Sequence, residues 1–121
     1  VAERRSTAMV EAVERLSATY GVPIPCYGHA GDGNLHATPV MNPGWTLERW
    51  RETLPRLLTD LYRETARLGG RISGEHGIGC KRKAYLPLVL DAGTLAMTRA
   101  IKHALDPLNI MNPGKIVDPE G

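Results

Sequence analysis

GHAGDGNLH, residues 28–36, is the stretch on which the fold turns. Asp32-Gly33 lies between two short β-compatible runs, residues 22–27 and 35–41. That is a strong local signal for a two-residue hairpin turn, whose central residues both need positive φ. With Asp32 and Gly33 at the turn, Gly31 is expected to face Asn34, Ala30 to face Leu35, and His29 to face His36. Directly opposed residues share a face, with Cβ atoms ~4.5–5.5 Å apart. Two imidazoles so placed can converge on one ion. A cross-strand histidine pair is also at home as a solvated surface pair, so from the spacing alone both readings stand.

Helical patterns flank this stretch. Residues 1–20 repeat apolar side chains at Met9, Val13, Leu16 and Tyr20, one face of an amphipathic helix. Gly21, suited to a left-handed cap, and Pro23 end it. Asn42-Pro43-Gly44 reads as a turn. Thr46 is the expected N-cap of a second helix carrying Trp50, Leu54, Leu57, Leu61 and Leu68 on one side. Pro55 is expected to kink or split that helix, and Gly69-Gly70 to stop it. Arg71 and Ile72 are expected in a short strand. A last helix follows Asp91, carries Met97, Ile101 and Leu105, and closes at Asp106-Pro107. The tail LNIMNPGKI reads as irregular coil.

Composition narrows the classes. At 121 residues the chain is one domain's worth, with 42% hydrophobic and 23% charged residues, ordinary for a soluble globular protein. A formal charge of +2 is too small to argue for nucleic acid, and no aromatic stacking set supports such a partner. No stretch approaches ~20 consecutive apolar residues. There is no signal-peptide pattern, and the chain opens on Val1 inside a helical pattern, so a fragment of a larger protein is expected. Cys26 and Cys80 form neither a disulfide framework nor a CxxC pair and read as reduced thiols of a cytosolic protein. With no Phe, the core must lean on Leu, Val, Ile, Met and Ala.

A metal site needs a third ligand. Glu75 and His76, in the glycine-rich run SGEHGIG at 73–79, are the best candidates elsewhere in the chain. Two histidines and a carboxylate recur as ligands for zinc, and also for iron or manganese, and leave positions open for water or substrate. If Glu75 binds the ion, His76 stands beside the bound ligand, and an imidazole of ordinary pKa ~6.5 suits proton transfer near neutrality. His103, among Lys and Arg neighbours of the last helix, reads as solvated. The 73–79 run is not a phosphate loop, since Cys80 stands where that pattern requires Lys. Lys81-Arg82-Lys83 reads as a solvated helix start or loop, with an anion contact as the minority reading.

GHAGDGNLH, SGEHGIGCKR and LNIMNPGKI, in this order, resemble the C-terminal part of FAD-linked 2-hydroxy-acid oxidoreductases. These are the glycolate oxidase flavin subunit, D-lactate dehydrogenase and D-2-hydroxyglutarate dehydrogenase group. The resemblance implies an α+β fold with an antiparallel sheet packed with helices, a fragment of the ferredoxin-like cap domain. It implies FAD held by a separate N-terminal domain, and a divalent metal, zinc before iron or manganese, on His29, His36 and Glu75. His76 becomes the base that removes the substrate hydroxyl proton, and Asn112 of NPGK lies near the flavin side of the site. Thr38 stands two residues after the second histidine, where the hydroxyglutarate branch favours Asn, which points to glycolate or D-lactate.

The chain is therefore expected to be residues of a cap domain, inactive alone. Its implied partners are a small 2-hydroxy acid, its own FAD domain and an unidentified electron acceptor, with a cytoplasmic setting or a peripheral one at the membrane through that acceptor. Homo-oligomerisation through uncovered apolar surface is a further expectation. Two other classes compete. One is a small metal-dependent hydrolase using His29, His36 and Glu75 on water; the other is a non-catalytic metal-binding or dimerisation module. NPGK has no role in the hydrolase and fits the flavoenzyme.

Overall fold

The computed structural model describes residues 2–29 and 31–118. The element order is α1 (Ala2–Tyr20), β1 (Cys26–His29), β2 (Asn34–Ala37), α2 (Leu47–Arg67), a 3-10 helix (Lys83–Leu88) and α3 (Ala92–Leu105). Helices with a small antiparallel sheet make this an α+β chain. The run α1-β1-β2-α2 is the central stretch of the βαββαβ order of a ferredoxin-like domain. Residues up to Gly70 form one compact unit and those from Arg71 a second.

In the first unit α1 packs on α2 around Val13, Val22, Ile24, Leu57 and Leu61. Met9, Leu16, Tyr20 and Trp50 close the edges of this core, as their periodicity suggests. Gly21 takes φ +64°, and the Val22 amide returns to the Ser17 carbonyl at 3.2 Å, the cap expected for α1. The Tyr20 hydroxyl donates to Asp60 at 2.5 Å, joining the end of α1 to the middle of α2. That bond to a carboxylate pushes the phenol's pKa up. Thr46 caps α2 by accepting the Arg49 amide at 3.2 Å.

Pro55 does not split α2, which runs unbroken from Leu47 to Arg67. Proline frees only the Arg51 carbonyl, and both residues lie on the exposed side, where that group is open to solvent. The burial of Leu57 and Leu61 on the opposite side outweighs the loss. Gly69, at φ +76°, stops the helix as expected.

The second unit is held largely by polar bonds, several of them between residues far apart in its sequence. Arg71 and Ile72 form no strand; Ile72 is simply buried. Asp91 caps α3 by accepting the Thr94 amide at 2.8 Å. Asp106 closes α3 and is only 7% exposed. Its carboxylate accepts the Ile110 and Met111 amides, at 3.0 Å each, and pairs with Lys102. Met97, Ile101 and Leu105 are exposed rather than packed. Among the described residues no helix is long and apolar enough to cross a membrane.

Leu57 is 0% exposed whereas Met97 is 66% exposed. Leu57→Ala is expected to cost about 2–5 kcal/mol of stability, and Met97→Ala no more than about 0.5 kcal/mol. Urea unfolding followed by circular dichroism checks the pair. Equal losses would overturn this placement of the core.

Candidate functional site

The hairpin decides where the two motif histidines lie. Its register is Cys26↔Ala37, Tyr27↔His36, Gly28↔Leu35 and His29↔Asn34. His29 therefore faces Asn34, and His36 faces Tyr27. The expected direct pairing of the histidines is replaced by a diagonal one, at roughly 7–8 Å between backbones. Both still project from the same side of the ribbon, because opposed residues and residues two apart share a face. Cys26 and Ala37, on the other side, pack against the core.

The shift in register has a local cause. Asp32 turns its carboxylate onto the Asn34 amide at 3.0 Å, and its own amide reaches the His29 carbonyl at 3.4 Å. The Asn34 N–H is thereby taken by a side chain. Gly33 supplies the positive φ, +73°. The connection is four residues long rather than two, and Leu35 faces Gly28. The expected partner Ala30 lies outside the described residues.

Two features of this hairpin were missed by spacing alone. Tyr27 stacks on His36, with ring centroids 5.1 Å apart and planes 9° apart. Gly28 is the other: a Cβ built there would lie 2.1 Å from the Asn34 carbonyl oxygen. Only glycine admits so close a cross-strand approach. Burial pushes the Cys26 thiol pKa up, so it stays a neutral packing group.

In the second unit Glu75 and His76 are adjacent on an exposed loop, with His76 Nε2 3.6 Å from Glu75 Oε1. Gly77 and Gly79 follow with φ +74° and +59°. The Arg82 guanidinium donates to the Gly77 carbonyl at 3.0 Å. Arg82 and Lys83 stand at the start of the 3-10 helix, as expected, and their side chains are in addition tied to partners within the unit. Lys83 donates to the Gly114 carbonyl at 3.2 Å and pairs with Asp118 at 2.8 Å. Asn112 is exposed at φ +49°, and its carbonyl accepts the Lys115 amide at 3.3 Å. His103 is exposed in the last turn of α3, as expected.

The donors have the chemistry a divalent ion asks for: two imidazoles sharing one face of a ribbon, and a carboxylate with a third imidazole beside it. The tail bearing Asn112 is fastened by Asp106. Lys102 holds the Asp106 carboxyl below the usual carboxylate range, helped by the Met111 and Ile110 amides.

Residues 3–116 match the family model described as FAD linked oxidases, C-terminal domain. The chain is 37% identical over 108 residues to the glycolate oxidase subunit GlcD of Bacillus subtilis, covering 89% of this chain and 23% of that protein. It is 40% identical over 104 residues to a D-lactate dehydrogenase of Archaeoglobus fulgidus, covering 84% and 22%. Over 93 residues it is 41% identical to a D-2-hydroxyglutarate dehydrogenase of Xanthomonas citri, covering 76% and 20%. It thus spans about a fifth of the length of these relatives.

Gly28→Ala is expected to drive the hairpin strands apart at a cost above about 1 kcal/mol. The ring-current shift of the stacked His36 should vanish in NMR spectra while helical circular dichroism persists; a retained shift would refute the close approach. A second expectation concerns Asp106. Its lowered pKa means that its stabilising contribution is present above the ordinary carboxylate value of ~3.9 and lost as pH falls through its folded value. Thermal unfolding from pH 7 to 2.5 should show that loss in the parent chain, and a flatter profile in Asp106→Asn.

Proposed function

Because this chain belongs to the FAD-linked oxidases, as their C-terminal domain, we propose that it is the part of a flavoenzyme that binds a 2-hydroxy acid and removes its hydroxyl proton. The product is the 2-oxo acid. The observation that carries this reading is the shared hairpin face of His29 and His36, together with the adjacent Glu75 and His76. Glycolate and D-lactate are the favoured substrates, since Thr38 stands where the hydroxyglutarate branch favours Asn.

His29, His36 and Glu75 would hold a divalent metal, zinc before iron or manganese. When bound, the metal would supply Lewis acidity toward the substrate's oxygens, and the flavin of the separate domain would supply the redox chemistry. His76 accepts the hydroxyl proton at a ring nitrogen, the usual task of a positioned imidazole. Its backbone neighbour Glu75 limits how far it can stray from the ligand set. Asn112, on a tight turn of the tail, is placed toward the flavin in this reading. The left-handed φ of the NPGK turn supports a built role for that segment.

Four variants of the full flavin-containing polypeptide test this. His29→Ala, His36→Ala and Glu75→Ala should each lose bound metal, measured per subunit by elemental analysis, because each removes one of three protein ligands. His76→Ala should keep its metal and lower turnover ~10²–10⁴-fold. Loss of metal in the His76 variant would make His76 a ligand and defeat its assignment as the base.

A further inference from the structure

The loop that carries Glu75 and His76 and the tail that carries Asn112 are joined by a backbone bond and, just beyond the loop, by the Lys83 side chain. The Ile116 amide donates to the Gly79 carbonyl at 2.9 Å. Lys83 donates to the Gly114 carbonyl at 3.2 Å and pairs with Asp118 at 2.8 Å, 35 residues further along the chain. Arg82, its neighbour, holds the Gly77 carbonyl at 3.0 Å. The Lys83 side chain is 27% exposed, so this ammonium is spent largely on internal partners.

Ile116 sits at φ +66°. A β-branched side chain keeps a left-handed backbone only where its surroundings impose it. The bonds to Gly79 and, through Lys83, to the residues on either side supply that imposition. Without them residues 112–118 have no strand or helix to hold them.

We propose that Lys83 is a positioning residue, which clamps the NPGK tail to the EHG loop so that Glu75, His76 and Asn112 are set by one rigid segment. It touches neither metal nor substrate. Its effect passes through the Gly114 carbonyl and Asp118 on one side and, through the backbone of residues 79–83, to the loop on the other. This rests on the roles proposed above for Glu75, His76 and Asn112.

The test uses the full chain with Lys83→Met, which keeps the stem and removes the charge, and Lys83→Arg, which restores a cation. Amide hydrogen exchange is expected to rise at least tenfold in Lys83→Met at both residues 76–80 and residues 112–118, with α1 and α2 unchanged. Lys83→Arg should return both segments toward the parent. Titration with zinc alone should show affinity weakened ~10–100-fold in Lys83→Met, the usual scale for a group that orients a ligand from behind, and recovered in Lys83→Arg. Exchange that rises in the tail alone would overturn the clamp. So would unchanged zinc affinity in a variant whose loop exchange has risen. If Lys83→Met loses exchange protection throughout, Asp118→Asn, which removes only the ion pair, must show the paired rise or the clamp is refuted. A parent chain that binds no zinc would defeat the metal reading instead, and the exchange data would still judge the clamp.

Discussion

The burial of Val22 and Ile24 decides which way His29 points. Both lie in the core against Leu57 and Leu61, and Cys26 continues the same alternation. Side chains on an extended strand alternate strictly, so Tyr27 and His29 must then face away from the helices. A slip of one residue would turn both motif histidines into the core and expose the apolar ones. A two-stranded ribbon is marginal in water by itself, and here its apolar anchor comes from the approach to β1 rather than from the strands. The register persists into that approach: the Thr38 amide reaches the Pro25 carbonyl at 3.1 Å, and the Val40 amide the Pro23 carbonyl at 2.8 Å. The prolines accept and cannot donate, which keeps the ladder one-sided there. Hydrophobic burial on one face is therefore what presents imidazoles on the other.

The same logic explains what could be read from the residues. Gly21, Thr46, Gly69 and Asp91 mark helix ends because the chemistry of a cap is local, one side chain or one backbone conformation answering for a few orphan amides. The face shared by His29 and His36 was legible for a related reason, since changing the loop by two residues preserves strand parity. The register itself was not legible. It depends on Asp32 choosing the Asn34 amide, a contest between a side chain and a backbone acceptor that Asp-Gly leaves undecided. The split that Pro55 could have made in α2 fails for the opposite reason. Its local cost is real, but Leu57 and Leu61 bury against residues far along the chain, and tertiary packing overrides propensity.

The second unit was hardest to read because its order comes from polar bonds between distant residues. Asp106 reads in sequence as a helix end before proline. In the fold it also gathers two tail amides and Lys102. Lys83 reads as one of three basic residues in a row, yet its partners are a carbonyl and a carboxylate more than a helix away. No periodicity marks such residues. They are found only by asking where each backbone carbonyl of an irregular segment goes.

That question also gives a reason for the wide sequence gap between the EHG and NPGK motifs. α3, at 14 residues, carries the chain about 21 Å along its axis. Asp106 ends the helix and organises the turn at residues 109–111, where Asn109 adopts φ +51°. The tail then returns far enough for Ile116 to bond Gly79. The gap is an out-and-back excursion, and its closing contacts bring the third motif to the second. A change in the length of α3 would move Asn112 away from the loop without altering either motif. Motif order and composition alone therefore do not specify this half of the site; the helix between them is a spacer, and Asp106 and Lys83 are the two points at which its return is secured.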